Sequence, residues 1–221
     1  MIELVIFDCD GVIVDSEIVA NKSSAMTKRE LGWDISDEEH MLMFCGHGPD
    51  SPVIQDAWAR LPDEYHAKSQ ARRIELMKAE LQPIPNIKTV LENLELPFCM
   101  ASNSLVDKID FMLDLTDLSH LFEGRVFSSE HVAKGKPSPD LYLHAADTMG
   151  IAPEKCLVVE DSIPGATAGI AANMNVLGFI GGAHQPFMNI EDTLLELGVD
   201  QLFDDMSKLP QIIDAFLRKT A

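Results

Sequence analysis

Apolar positions along this chain follow two rhythms. Short runs of strand length, Leu4-Val5-Ile6-Phe7, Phe98 to Ala101, Arg125 to Phe127, Cys156 to Val159 and Asn175 to Phe179, alternate with stretches of helical spacing. Such alternation predicts an α/β fold, a parallel sheet with helices on both faces. Residues 16–81 interrupt it. They hold no β-branched run comparable to Leu4–Phe7 and read as an inserted helical unit. Asp15 or Ser16 is placed to cap a helix running to about Leu31, which Gly32 ends. Asp37-Glu38-Glu39 supplies acids for the next N-terminus, and a long helix from Asp63 to about Leu81 is bounded by Pro62 and Pro83. The tail from Gln201 reads as one further helix, Leu209 to about Arg218, with no chemistry.

In open parallel sheets, ligands bind beyond the carboxyl ends of the strands. The residues capable of chemistry fall there. Asp8 and Asp10 follow the first run, and because residues i and i+2 of a strand point the same way, both carboxylates can face one cavity, with Gly11 allowing a sharp turn beyond them. One can attack while the other moves protons. Ser102 follows Phe98 to Ala101, and Glu160-Asp161 follows Cys156 to Val159. A calcium loop fits Asp8-Cys9-Asp10-Gly11 badly, since the glycine comes too early and a strand precedes it. Two adjacent acids facing Asp8 would repel unless a cation sat among them, and all-oxygen ligands suit Mg²⁺.

Composition narrows the partners. The 221 residues carry 17 Lys plus Arg against 36 Asp plus Glu, a formal charge of −19, which argues against nucleic acid or an anionic membrane surface. Anion binding must then be local, built from a metal ion and one or two lysines. An apolar content of 46% suits a globular chain. No apolar stretch reaches the roughly 20 residues of a membrane span, and Met1-Ile2-Glu3 lacks a basic signal region, so the cytoplasm is the expected location. Cysteines 9, 45, 99 and 156 are too scattered for a disulfide framework or a zinc site.

Four segments together are specific. Asp8-Cys9-Asp10-Gly11-Val12 through Asp15-Ser16-Glu17, Met100-Ala101-Ser102-Asn103, Gly135-Lys136-Pro137-Ser138-Pro139-Asp140 and Glu160-Asp161-Ser162-Ile163-Pro164-Gly165 resemble the four motifs of the haloacid dehalogenase-like superfamily in its helical-cap phosphatase and β-phosphoglucomutase-like form. The resemblance extends to about residue 180. It implies a Rossmann-like core of residues 1–15 and 82–221, a helical cap domain of residues 16–81, and a magnesium-dependent phosphatase acting on a small phosphate monoester through an aspartyl phosphate.

By resemblance, Asp8 is the nucleophile, Asp10 the general acid and base, Ser102 the holder of a phosphoryl oxygen with Asn103 assisting, and Lys136 the cation beside nucleophile and phosphate. Lys134 is expected to face solvent, and Ser104 to cap a helix from about Val106. Asp8, the Asp10 carbonyl and Asp161 would ligate Mg²⁺, with Glu160 either a ligand or a partner of one. His47, on the loop Cys45-Gly46-His47-Gly48, is a candidate substrate contact, or else a solvated histidine. A phosphosugar mutase is the rival activity. Such mutases carry a histidine shortly after the first motif and an arginine past the cap-loop glycine, where this chain has Ala20 or Asn21 and His47. A non-catalytic binding protein is a further alternative, disfavoured because every chemically necessary side chain is present. The expected partner is a small phosphorylated metabolite, and the expected state a monomer.

Overall fold

The computed structural model describes residues 1–48 and 50–219; Pro49 and the last two residues of the expected core lie outside them. Strand β1 (Leu4–Phe7) is followed by four helices, α1 (Ser16–Glu30), α2 (Asp37–Phe44), α3 (Pro52–Ala59) and α4 (Tyr65–Glu80). The chain then runs through α5 (Ile87–Asn93), β2 (Phe98–Ser102), α6 (Val106–Leu115), α7 (Ser119–Phe122) and β3 (Val126–Ser128). After these come α8 (Asp140–Thr148), β4 (Cys156–Glu160), α9 (Ile163–Ala171), β5 (Asn175–Phe179), α10 (Glu191–Leu197), β6 (Gln201–Phe203) and α11 (Leu209–Lys219). The strands form one parallel sheet in the order β3-β2-β1-β4-β5-β6. The fold is the expected Rossmann-like α/β core with an inserted helical cap, and no described helix is long and apolar enough to cross a membrane.

Period-two alternation divides the core into two layers. Val5 and Phe7 of β1 point to one face with Met100, Leu157, Val159 and Leu177, and α5, α6 and α11 cover them. Leu4 and Ile6 point to the other with Cys99, Val158 and Val176, under α8, α9 and α10. Both faces are buried, so the central strands read as continuous apolar runs. Cys9, Cys99 and Cys156 are buried free thiols.

Boundaries differ from expectation where caps differ. Strands β2 and β4 each run one residue further, to Ser102 and Glu160, and β3 is shifted by one, to Val126–Ser128. Helix α2 begins on a capping box: Ser36 Oγ accepts from Glu39 N–H, and Glu39 Oε2 accepts from Ser36 N–H at 2.8 Å. Neither Asp15 nor Ser16 caps α1 with its side chain. The tail contains β6, which was not expected. It has three residues and an exposed Gln201, too few for a pattern, and is defined by pairing with β5.

In the cap, α1 packs along α4 and α2. Between them lies a buried polar network. Asn21 Nδ2 donates to the Glu17 carbonyl, which leaves its Oδ1 to accept from His40 Nδ1, and His40 Nε2 therefore accepts from Lys28 Nζ at 2.9 Å. Burial, with Lys28 adding, pushes the His40 pKa down to about 3. The unfolded chain takes up a proton near pH 6.5 that folded His40 refuses, so stability falls as the pH drops below about 6.5, by at most ~1.4 kcal/mol per pH unit. The expected outcome is that His40→Gln loses less stability than wild type between pH 7.5 and pH 5, measured by urea unfolding.

Candidate active site

The sheet order reverses direction between β1 and β4, and a crevice opens there at the strands' carboxyl ends. Asp8 leaves β1 with its N–H still bonded to the Val159 carbonyl at 3.0 Å, so β4 fixes its direction. Glu160 and Asp161 leave β4 beside it. Carboxylate oxygens of Asp8, Glu160 and Asp161 lie within 4.8 Å of one another, all three residues buried.

Lys136 holds this group together. Its Nζ donates to Asp8 Oδ1 at 2.7 Å and to Glu160 Oε1 at 2.6 Å, over the Tyr142 ring. Burial opposes the Lys136 charge, but Asp8 and Glu160 override it and push its pKa well above the ordinary value. Glu160 has little capacity left: Tyr142 OH also donates to Oε1, and Oε2 accepts from the N–H groups of Asp161 and Ser162 and from Ser162 Oγ. Ser162 in turn caps α9, accepting from Gly165 N–H. A Cβ on Gly165 would lie 1.7 Å from Glu160 Oε1, so only glycine leaves room for that carboxylate.

Asp161 takes a separate partner, His184 Nε2 at 3.0 Å. Burial lifts the Asp161 pKa to about 6, with the His184 hydrogen bond opposing and Glu160 adding. Burial first, then Glu160, Asp161 and Asp10, raise Asp8 well above the carboxylate range against the pull of Lys136. Asp8 and Glu160 share one lysine with Asp161 close by, and a divalent cation among their oxygens would relieve the excess of negative charge. Gly11, at φ +81°, brings the backbone against Asp161.

Asp10 faces the same cavity in different company. Ser104 Oγ donates to Oδ2 at 2.7 Å, Lys108 Nζ to Oδ1 at 2.9 Å, and Ser16 Oγ also to Oδ1. Burial would raise this carboxyl, but Lys108 and the two hydroxyls outweigh it and leave its pKa below the usual value. Ser104, expected to cap α6, and Ser16, expected to cap α1, thus serve Asp10 instead.

Ser102 is buried at the end of β2, its Oγ accepting from Ser104 N–H at 3.1 Å. Asn103 departs from expectation. Its side chain clasps the Lys136 backbone, Oδ1 accepting from N–H and Nδ2 donating to the carbonyl, and so aims the lysine loop. Lys134 is exposed, as expected. His47 is exposed on the loop after α2, and lines the cavity of about 1280 Å³ that runs from Asp8 up into the cap. Three participants were not foreseen: Lys108, Tyr142 and His184. None carried a local signal in the sequence, and Lys108 reaches Asp10 and Ser104 from the first turn of α6.

Comparison with known proteins identifies the family. The model of the haloacid dehalogenase-like hydrolases matches residues 2–173. A 6-phosphogluconate phosphatase of Escherichia coli is 29% identical over 216 residues, 96% of this chain and 94% of the relative. A haloacid dehalogenase-like protein of unknown function from Agrobacterium tumefaciens superposes with a TM-score of 0.87 at 33% identity, covering 98% of this chain and 100% of its own. A hydrolase of the same family from Deinococcus radiodurans, solved with bound phosphate and sodium, gives 0.82 at 28% identity, over 94% and 93% of the two chains. The chain belongs to the haloacid dehalogenase-like hydrolases.

Proposed function

We propose that this hydrolase is a Mg²⁺-dependent phosphatase that cleaves a small phosphate monoester, a sugar phosphate or similar metabolite, through a phosphoaspartate on Asp8. The observation that carries the proposal is the pairing of two carboxylates two residues apart in opposite environments. Asp8 lies in the buried Lys136–Glu160 group and Asp10 among hydroxyls and Lys108. Lys136 beside Asp8, and a cation among the same oxygens, would favour the ionised nucleophile, while Asp10, with donors of its own, is left to carry protons.

The donor set fits a hard divalent cation, with Asp8, Asp161 and the Asp10 carbonyl as its ligands. Such an ion would neutralise charge on the phosphoryl oxygens. Glu160, its oxygens taken by protein donors, serves as the anchor of Lys136 and of the Asp161 backbone. Asp8 attacks phosphorus in line, while Lys136 offsets the repulsion between two anions. Ser102 holds a phosphoryl oxygen. Asp10 protonates the leaving oxygen and later takes a proton from the attacking water. An arriving phosphate dianion raises the Asp10 pKa by its own charge and competes for Lys108, which lets a carboxyl that is ionised at rest become an acid. His47 is positioned to meet the rest of the substrate at the cap loop.

Mutase chemistry is disfavoured at the place where a second phosphate would need a donor. Ala20 has none, and Asn21 is engaged with the Glu17 carbonyl and His40.

Two outcomes are expected. Inorganic phosphate is released from sugar phosphates with Mg²⁺ and not with EDTA, and Asp8→Asn lowers kcat by roughly a thousandfold or more; isomerised sugar phosphate without phosphate release would overturn the assignment. Lys108→Met removes the group that lowers the Asp10 pKa, so that pKa rises and the basic limb of the kcat profile, which reports the substrate complex, moves to higher pH. An unmoved limb would detach Lys108 from Asp10 in the working enzyme.

A further inference from the structure

The cavity above Asp8 continues between α1, α2 and α4 to a chamber that the proposed chemistry does not use. Lys28 stands in it. Its Nζ donates to neutral His40 and sits 3.5 Å from the centre of the Phe44 ring, with Trp33 and Tyr65 at 5.7 and 5.9 Å. The residue is buried, and no carboxylate pairs with it among the described residues. Two acids near it in sequence are used elsewhere: Asp37 by Arg29, and Glu30 by Arg72 and Lys68 on the outer surface. In a chain with 36 acids against 17 bases, a buried lysine left without an acid stands out.

Arg73, one residue from the paired Arg72, is a second cation on this route. It lines the cavity, and its Nε is buried with no hydrogen-bond partner. It lies near the catalytic end, close enough to Glu17 to oppose the rise that burial gives that carboxyl. Lys28 is farther in. Along α1, Ser16 touches Asp10 and Ser24 touches His40, and eight residues of helix separate them by ~12 Å. That span is comparable to an extended six-carbon monophosphate.

We propose that the substrate carries a carboxylate at the end remote from its phosphate, and that Lys28 receives it, making the substrate a phosphorylated sugar acid. This rests on the phosphatase reading above. A carboxylate rather than a second phosphate fits because the polar groups around Lys28, namely His40, Ser24, Tyr65 and Asn21, are neutral, and one ammonium balances one negative charge. Ser24 and Tyr65, their hydroxyls 2.6 Å apart, offer partners for the hydroxyls between the two ends. The similarity to a 6-phosphogluconate phosphatase points the same way.

The test compares kcat/KM for phosphate release from 6-phosphogluconate and from glucitol 6-phosphate, which has a hydroxymethyl group in place of the carboxylate. Because the ratio is taken within each variant, a general loss of activity cancels. Wild type is expected to prefer the acid at least tenfold, and Lys28→Met to bring the ratio near one through KM, with no fall in Tm. Lys28→Gln, which removes the charge but keeps a donor, should lower the same ratio and keeps the test alive if Lys28→Met does not fold. Equal rates in wild type, a bisphosphate preferred to both, or a ratio that Lys28→Met and Lys28→Gln leave intact would overturn the proposal while leaving the phosphatase standing. A Lys28→Met variant that loses Tm but keeps the preference would make the lysine structural. No metal-dependent phosphate from these esters or from p-nitrophenyl phosphate would defeat the phosphatase reading itself.

Discussion

Asp8 and Glu160 stand at the ends of neighbouring strands with their carboxylates buried in one crevice, and Lys136 Nζ reaches both, at 2.7 and 2.6 Å. Two buried carboxylates this close would otherwise drive each other to protonate or force the strands apart. Most other features of the crevice serve that ammonium. Asn103 grips the Lys136 backbone at both ends, Tyr142 lies under Nζ and donates to Glu160, and Gly165 leaves the space in which the Glu160 carboxylate sits. A buried ion pair is poor evidence for stability, since desolvation offsets most of its attraction. Its value here is positional: one oxygen of Asp8 is held by a fixed cation in a site shielded from water.

The contrast between Asp8 and Asp10 follows from the same economy of donors. Asp8 shares one lysine with a second carboxylate and has a third close by, so its proton affinity rises. Asp10, only two residues on, has a lysine and two hydroxyls to itself, and its affinity falls despite burial. Intrinsic acidity is identical in the two, so the difference comes from their surroundings: burial beside Glu160 and Asp161 at the end of β4 for Asp8, and Lys108 of α6 with Ser104 and Ser16 for Asp10. A strand end at a switch point allows this because it meets different neighbours on each flank.

Legibility tracked how local each determinant was. β1, β4 and β5 were readable because strands buried on both faces are continuous apolar runs, whereas β6 exists only through its pairing with β5. The site acids and Lys136 were readable as strand-end residues and as a lysine in a proline-stiffened turn. The purposes of Ser16 and Ser104 were not, because a serine before a helix looks like a cap and only the tertiary fold brings Asp10 within reach. His184 and Tyr142 carried no local signal. The cap chamber had one that passed unread: Glu17, Asn21, Ser24 and Lys28 form a polar stripe at helical spacing along α1, in a helix otherwise expected to bury apolar residues between its neighbours.

That stripe bears on why Lys28 persists. Burying an ammonium without an acid costs several kcal/mol, against about 2 kcal/mol from a desolvated aromatic contact and about 1.5–3 kcal/mol from its hydrogen bond to His40. The terms come close to cancelling, so the local environment tolerates the lysine without gaining stability from it. Burial lowers its pKa to about 8, which leaves it largely charged at neutral pH. A methionine of similar length would fill the space among Phe44, Trp33 and Tyr65 without the desolvation cost. A cation retained where an apolar residue would fold at least as well is explained most simply by what it attracts. In a chain of net charge −19, an anionic substrate is drawn in only if cations line its route. Lys136 at the crevice, Lys108 and Arg73 beside it, and Lys28 at the far end of the cavity supply such a line.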